Sequence, residues 1–212
     1  AITGRNEKRG HAVTARILES GGKAIFLRTD VRRAAECERA VIETIKTFGR
    51  LDILFNNAGV FYAHDTLECS EQEWDEQIDI NLKGTFLMSK YALTGMIAQK
   101  NGVIVNNSSG WGIVGGDKAV AYCASKAAVG AITRCLAAEW AKDGIRVVDV
   151  APGYIETDLN RDYLSNDKVR AWLERRVPVG RPGRPDEVAR LVGVLFAEPI
   201  GFLTGETIYL DG

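Results

Sequence analysis

Short β-rich runs alternate with longer helical runs along this 212-residue chain, and this alternation constrains the fold more than any other feature. Several runs are almost continuously apolar, which is typical of strands buried on both faces of a parallel sheet. Strand–helix alternation with right-handed crossovers predicts a doubly wound parallel sheet covered by helices on both faces, a three-layer α/β/α architecture. The predicted strands span residues 23–28, 51–55, 103–106, 145–150 and 206–210.

Helical periodicity fills the intervals between these strands. Apolar residues recur at steps of three and four along one face of a predicted helix: Ala34, Cys37, Val41, Ile45 and Phe48. Long helical stretches are expected over residues 71–99 and 119–142, and a further helix begins at Asp186. Because there is no internal repeat and no low-complexity linker, residues 1–212 are predicted to form a single domain.

Composition disfavours several classes of function. The formal net charge is -1, so we expect no nucleic-acid-binding surface and no polybasic membrane anchor. No apolar run reaches the roughly 18 residues of a membrane-spanning helix. The four cysteines show no CxxC spacing and the two histidines are far apart, so no metal site is expected. Scattered cysteines without a secretory signal indicate reduced thiols and a cytoplasmic protein.

Residues 154–185 interrupt the alternation with a long, charged segment that carries three prolines. Long connections in compact domains are often lids or binding loops. Ligands of open α/β sheets bind at the carboxyl ends of the strands, where this segment begins. We therefore expect residues 154–185 to form a substrate lid; the alternative is a variable surface excursion.

Tyr122 and Lys126 lie four positions apart in a predicted helix, so their side chains share one face. A free phenol has a pKa of about 10, and a nearby ammonium group lowers it by favouring phenolate. General acid–base catalysis on an alcohol needs such a group. Alone, the spacing is explained more simply by a packed tyrosine and a solvated lysine.

Two serines strengthen the catalytic interpretation. Ser108 and Ser109 follow the predicted strand 103–106, and Ser109 lies 13 residues before Tyr122. A hydroxyl at the carboxyl end of a strand can hydrogen-bond a substrate carbonyl oxygen and stabilise its developing charge. The alternative is a turn or a helix cap, which serine also favours.

At these positions the chain resembles the classical short-chain dehydrogenases/reductases along essentially its whole length. The matching segments, in order, are Asp30-Val31, Asn56-Asn57-Ala58-Gly59, Asn81, the set Ser109, Tyr122 and Lys126, the segment from Pro152 to Thr157, and residues 202–212. The resemblance implies a Rossmann-like fold. It also implies a catalytic Ser109, Tyr122 and Lys126, with Asn81 holding a water of a proton relay.

The resemblance further implies which residues contact an NAD(P) cofactor and which contact the substrate. Asp30 and Val31 would contact the adenine, and the Asn57, Ala58 and Gly59 segment would lie beneath it. The remaining implied cofactor contacts are Tyr122, Lys126, Pro152, Gly153, Ile155 at the carboxamide, and Thr157 at the carboxamide or pyrophosphate. The substrate would contact Ser109, Tyr122, Tyr154 and Trp111, although Trp111 fits core packing almost as well.

The glycine-rich loop with which this family begins is not recognisable. Thr3-Gly4 followed by Gly10 imitates it, but Lys8 stands where the middle glycine is expected, and the chain does not begin with Met. We therefore expect a segment to be missing, either ahead of a strand ending within residues 1–6 or between Gly4 and Arg5. In the first case Arg5 suits the 2′-phosphate of NADP, unless it is a solvated loop charge. The cofactor is thus predicted as NAD(P).

The predicted reaction is hydride transfer between NAD(P) and a secondary alcohol or ketone of a small molecule of polyol, sugar, hydroxysteroid or 3-oxoacyl type. The alternative is a catalytically silent, dinucleotide-sensing protein of the same fold. The resemblance also implies a homo-oligomer, either a tetramer or a dimer. An apolar run beside the catalytic pair suits a helix-pair interface or a core equally well: Ala127, Ala128, Val129, Ala131 and Ile132.

Overall fold

The computed structural model describes residues 1–157, 160, 164–197 and 200–212. Its strands form two parallel ladders, one of two strands and one of four. In the first, β1 (Ile2–Gly4) pairs with β2 (Phe26–Arg28). The second has the order β3-β4-β5-β6 and contains β3 (Ile53–Asn56), β4 (Gly102–Asn107), β5 (Ile145–Pro152) and β6 (Thr207–Leu210).

Helices connect the strands and cover both faces of the sheet, which confirms the predicted Rossmann-like, doubly wound fold. They are α1 (Glu7–Glu19), α2 (Ala34–Phe48), α3 (Glu71–Ile78), α4 (Gly84–Gln99), α5 (Val120–Trp140), α6 (Asp167–Arg176) and α7 (Pro185–Ala197). β1 leads into α1 through Arg5 and the N-cap residue Asn6, whose side chain accepts a hydrogen bond from the Arg9 amide. The expectation that a segment carrying the glycine-rich loop is missing stays a prediction.

The core has two halves because successive strand residues point to opposite faces. Ile104 of β4 and Val147 of β5 pack against α2 and α4 on one face. Val105 and Val148 pack against α7 on the other. These strands are buried on both sides, which explains the near-continuous apolar runs of the sequence.

The helix predicted over residues 71–99 is interrupted. A π-helical turn, Asp79–Lys83, separates α3 from α4. The wider turn accommodates Asn81, which is buried and bonded to groups outside the helix. Such turns are rare and are found frequently at functional sites.

The predicted lid, residues 154–185, contains regular structure. Helix α6 begins after the N-cap residue Asn166 and packs Leu173 into a small cluster with Leu164 and Val177. Ile155 forms an isolated parallel bridge with Gly183. Residues 158, 159 and 161–163 of the predicted lid lie outside the described residues.

Candidate active site

The carboxyl ends of three neighbouring strands bring the predicted catalytic residues together. Asn57 and Gly59 follow β3, Ser109 follows β4, and Gly153 follows β5. Helix α5 carries Tyr122 and Lys126 along this edge of the sheet. This is the edge at which open α/β sheets bind their ligands.

Ser109 is held in an extended conformation as the N-cap of a short 3₁₀ turn, with φ -169° and ψ 152°. Its hydroxyl oxygen accepts a hydrogen bond of 3.2 Å from the Trp111 amide. Ser109 therefore does cap a helical turn, which was the alternative interpretation of this serine in the sequence. Ser109 also lies close enough to Tyr122 to lower the pKa of its phenol, so the cap does not remove Ser109 from the predicted site.

Tyr122 differs from the sequence prediction in its acidity. Burial raises the pKa of its phenol, and the hydrogen bond with Ser109 lowers it by less. The Lys126 ammonium group, 5.6 Å from the Tyr122 ring centroid and hydrogen-bonded to the Asn107 carbonyl, does not outweigh the effect of burial. The predicted lowering of the phenol pKa is therefore wrong for this structure, in which Tyr122 is a protonated acid at neutral pH.

Lys126 is almost fully buried, with 4% of its surface exposed. Its Nζ donates a 2.6 Å hydrogen bond to the backbone carbonyl of Asn107. Burial lowers the pKa of the ammonium group to about 8, while the charge of Asp149 opposes that shift. The Lys126 ammonium group therefore loses its proton within the pH range in which enzymes commonly work.

Asn81 ties the π-helical turn to the loop after β3. Its Oδ1 accepts a bond of 2.8 Å from the Val60 amide, and its Nδ2 donates to the Val60 carbonyl at 3.0 Å. Nδ2 also donates to Ser125 Oγ in α5 at 3.0 Å. Asn81 therefore connects its own turn, the loop after β3 and helix α5, which carries Tyr122 and Lys126.

Asp149 is a buried acid in β5 for which the sequence predicted no role. Its carboxylate accepts bonds from the Ser108 amide at 3.1 Å, the Ser108 hydroxyl at 2.6 Å and the Thr207 hydroxyl at 3.1 Å. Burial raises the pKa of the carboxyl group, and these bonds oppose the rise. The contacts anchor Ser108, the residue immediately before Ser109.

Aromatic rings border the catalytic hydroxyls. Trp111 contacts the Tyr122 ring with centroids 6.2 Å apart and the Tyr154 ring at 6.0 Å. Phe61, which sequence reasoning missed, contacts the Tyr122 ring at 5.1 Å. Of the two predicted substrate residues, Trp111 thus lies beside Tyr122, and Tyr154 lies on the other side of Trp111.

The predicted adenine-side residues lie at the ends of β1 and β2. Asp30 is held by Arg32 through bonds of 2.6 to 3.1 Å, which lower the pKa of its carboxyl group. Val31 packs against Gly84, where an added Cβ would lie 2.7 Å from the valine Cγ2. The Arg5 guanidinium lies 3.7 Å from Glu76 and half of its side chain is exposed.

Two features fit a bound dinucleotide. Asn107 Oδ1 is buried and has no hydrogen-bond partner among the described residues, so it is available to a donor on a bound group. A Cβ added to Gly59 would lie 3.4 Å from Asn81 Oδ1 and 3.6 Å from Lys126 Nζ, so the exposed Gly59 lies directly beside these two polar groups.

The predicted nicotinamide-side residues follow β5. Ile155 bridges to Gly183, and the Thr157 hydroxyl donates to Asn160 Oδ1 at 3.1 Å.

Over the described part of the chain, no three His, Cys, Asp or Glu side chains are grouped to hold a metal ion. The same residues include no helix with the length and apolarity needed to span a membrane.

Comparisons with known proteins agree with this geometry. The family model described as enoyl-(acyl carrier protein) reductase matches residues 1–212. An uncharacterized oxidoreductase from Thermotoga maritima is 38% identical over 100% of this chain and 85% of its own length. The 3-oxoacyl-[acyl-carrier-protein] reductase FabG of Staphylococcus aureus is 35% identical over 98% of this chain and 83% of its own.

A solved structure shows the same fold. The gluconate 5-dehydrogenase from Burkholderia cenocepacia, crystallised with NADP and tartrate, superposes with a TM-score of 0.94 at 32% identity. The match covers 100% of this chain and 83% of that one. The protein is an NAD(P)-dependent oxidoreductase acting on CH–OH groups. The chain belongs to the short-chain dehydrogenase/reductase family.

Proposed function

We propose that Tyr122 is the proton-transfer residue of this oxidoreductase and that Ser109 and Lys126 assist it. The observation that carries this assignment is the position of Tyr122 on α5 beside Ser109 at the carboxyl end of β4, where burial raises the pKa of the phenol. A protonated phenol that points to the same place as a serine hydroxyl can donate to a ketone oxygen.

In the direction of reduction, Ser109 and Tyr122 bind the substrate carbonyl oxygen and polarise it. A nicotinamide held at this edge of the sheet would provide the hydride chemistry, as donor in reduction and as acceptor in oxidation. Tyr122 then donates its proton to the oxygen. The Lys126 ammonium stabilises the resulting phenolate, because its charge lies close to the phenol ring.

Asn81 and Lys126 are proposed to restore the proton to Tyr122. Both have polar atoms beside the exposed Gly59, so a water or a ribose hydroxyl bound there would contact them. The cofactor would be held along the strand ends by two sets of residues. These are Asn57, Ala58 and Gly59 after β3, and Pro152, Gly153, Ile155 and Thr157 at the end of β5 and beyond it. Asp30 and Val31 would hold its adenine.

We propose a preference for NADP over NAD. Arg5 follows β1 directly, is half exposed, and forms a long ion pair of 3.7 Å with Glu76. A guanidinium at this position suits a 2′-phosphate. The relative crystallised with NADP supports the choice.

Arg5→Ala tests this preference. We expect the KM for NADPH to rise about tenfold, or by 1.4 kcal/mol of binding free energy, and that for NADH to change little. Arg9→Ala, at an exposed position in α1, is the matched control. Equal changes for both cofactors would contradict the assignment of Arg5.

Residues 154–185 are proposed to act as a lid within a single domain formed by residues 1–212. Tyr154 and α6 lie against the aromatic residues beside Tyr122, which supports a role over the substrate. Closure there would exclude water from the reacting carbonyl.

We further propose a cytoplasmic homo-oligomer, a tetramer or a dimer. On α5, Val129 is buried whereas Ala127 and Ala131 are exposed. Ala124 and Ala138 extend the exposed small-residue face. A face of this kind allows a second helix to approach closely.

A turnover screen tests the proposed reaction. NADPH oxidation should be measured with ketones of sugar, polyol, steroid and 3-oxoacyl type, and NADP⁺ reduction with the matching alcohols. We expect turnover of at least one class. Tight NADPH binding without turnover of any class would favour the silent dinucleotide-binding protein instead.

A further inference from the structure

Five aromatic rings form a continuous row that begins at the catalytic hydroxyl. Tyr122 contacts Trp111 at a centroid distance of 6.2 Å, Trp111 contacts Tyr154 at 6.0 Å, and Tyr154 contacts Trp172 at 5.4 Å. Phe61 closes the near end, at 5.1 Å from Tyr122 and 5.7 Å from Trp111. We call these residues the aromatic row.

The row is assembled from separate segments. Phe61 comes from the loop after β3, Trp111 from the turn after β4, Tyr154 from the segment after β5, and Trp172 from α6. Each strand end of the active site therefore contributes one ring. The indole of Trp111 is supported by Gly116, where an added Cβ would lie only 2.8 Å from the ring.

The row remains accessible to a ligand. Phe61 is 44% exposed, and the other four rings are partly exposed. Ile113 and Val114, which follow Trp111, are also exposed and extend the apolar surface. The Arg176 guanidinium lies over the Trp172 ring at 5.4 Å, at the end remote from the catalytic hydroxyl.

The chemistry of the row favours one class of substrate. Ring faces and edges bind flat apolar groups, and predominantly apolar walls with a few polar groups are typical of small-molecule sites. The row extends well beyond a single ring, because three successive ring contacts with centroid distances of 5.4 to 6.2 Å connect Tyr122 to Trp172. An open-chain polyol or a sugar acid would instead require donors and cations beside its hydroxyl and carboxylate groups.

We propose that the aromatic row binds a secondary alcohol or ketone carried on a flat, uncharged, fused-ring system. The reacting carbon lies at Ser109 and Tyr122, and the rings extend along Trp111 and Tyr154 to Trp172. This inference rests on the proposed function and specifies the substrate class of that site.

The first test compares substrates of different length with the wild-type protein and NADPH. The substrates are a fused-ring 3-oxosteroid, cyclohexanone, dihydroxyacetone and 5-ketogluconate. We expect kcat/KM for the 3-oxosteroid to exceed that for cyclohexanone by about tenfold or more, since one additional aromatic contact contributes about that factor. The two open-chain ketones should be poorer still.

The second test changes the remote end of the row. Trp172→Leu keeps an apolar side chain in the α6 cluster, and Trp172→Phe keeps a ring. We expect Trp172→Leu to raise the KM for the 3-oxosteroid about tenfold with little change in kcat, and Trp172→Phe to rescue most of the loss. The KM for cyclohexanone should change less than twofold, because a single ring does not reach Trp172.

Phe202→Ala is the matched control. Phe202 is fully exposed and precedes β6, at the opposite edge of the sheet from the active site. Its removal should leave all four kinetic comparisons unchanged. Thermal unfolding followed by circular dichroism will show whether the Trp172 variants retain the wild-type fold.

A binding measurement decides the inference even without turnover. Tryptophan fluorescence of the NADP⁺-loaded protein is titrated with a 3-hydroxysteroid, and we expect saturable quenching that is weakened in Trp172→Leu. Absence of quenching would overturn the proposed substrate class. Faster turnover of 5-ketogluconate or dihydroxyacetone than of the 3-oxosteroid would also overturn it and leave the proposed oxidoreduction intact. Failure of all ketones and alcohols, with quenching retained, would overturn only the proposed reaction.

Discussion

Tyr122 experiences opposing influences on its proton. Burial favours the neutral phenol, whereas the hydrogen bond to Ser109 favours phenolate. The balance leaves a proton on Tyr122 at neutral pH, where a general acid for carbonyl reduction must hold one. The buried Lys126 ammonium provides the charge that stabilises the phenolate after the transfer.

Tyr122→Phe should therefore abolish most turnover and leave cofactor binding nearly unchanged. The variant keeps the ring contacts and removes only the transferable proton, so we expect kcat to fall by about 100-fold or more. Steady-state kinetics beside NADPH titration provide the measurement. Tyr209→Phe, at a partly exposed position in β6, is the control. Near-normal kcat in Tyr122→Phe would contradict the assignment.

The pH profile should report Lys126. Its pKa is lowered to about 8, so the group is charged below that pH and neutral above it. Tyr122 is still protonated there because its own pKa is raised. We expect the rate of reduction to be constant below about pH 8 and to fall as pH rises through it. The loss reflects the disappearance of the ammonium charge.

Lys126→Arg tests whether the titration of residue 126, and not that of another group, controls the pH profile. A guanidinium stays charged well above pH 10. The variant should therefore keep whatever activity it has to a higher pH than the wild type, even where its maximal rate is lower. A decline at the same pH in both proteins would show that another group controls the profile.

Spacing along the chain made Ser109, Tyr122 and Lys126 candidates, since four-residue steps and strand ends are local properties, and the family resemblance implied their roles. It did not predict the direction of the Tyr122 pKa shift, because burial depends on packing between distant segments. The same limit explains why Phe61 and Trp172 were missed. Asp149 did leave a signal, an acid within an apolar strand, but its partners Ser108 and Thr207 come from other strands.

At the scale of elements, the π-helical turn Asp79–Lys83 positions the loop after β3. Asn81 in this turn satisfies both backbone polar groups of Val60 and bonds Ser125. Apolar periodicity predicted one helix across residues 71–99, because a single wide turn changes the pattern too little to be detected. In contrast, the regular face of α2 made its bounds predictable, and they agree with the structure.

Asn81→Ala should destabilise this junction. It leaves the buried Val60 amide and carbonyl without their partners, so we expect a loss of about 1–3 kcal/mol in the free energy of unfolding. Urea denaturation measures this change. Asn101→Ala, an exposed asparagine after α4, is the control and should cost less.

The same variant should reduce catalysis more than cofactor affinity. Asn81 contacts the loop that carries Gly59 and lies beside Lys126, so its loss disturbs proton return rather than the adenine site. We expect a lower kcat with a smaller change in KM for NADPH. A variant with normal kcat and reduced stability would leave Asn81 a purely structural residue.

At the scale of the whole molecule, the exposed face of α5 offers a surface for a second copy of the chain. Ala124, Ala127 and Ala131 are exposed at steps of three and four, directly behind the face that carries Tyr122 and Lys126. Helices approach closely where side chains are small. Pairing through this face would therefore also brace the catalytic helix.

Ala131→Glu tests this interface. The wild-type protein should sediment as a dimer or tetramer, and the variant should shift toward the 23.2 kDa mass of one chain. The reason is that two-fold pairing would bury two like charges close together, and an unpaired buried charge is costly. Ala35→Glu is the matched control, because it adds the same charge at an exposed position in the first turn of α2. Its mass should equal that of the wild type. If Ala131→Glu keeps the wild-type mass, the oligomer forms through another surface; if the wild type itself sediments as one chain, the proposed oligomer is wrong.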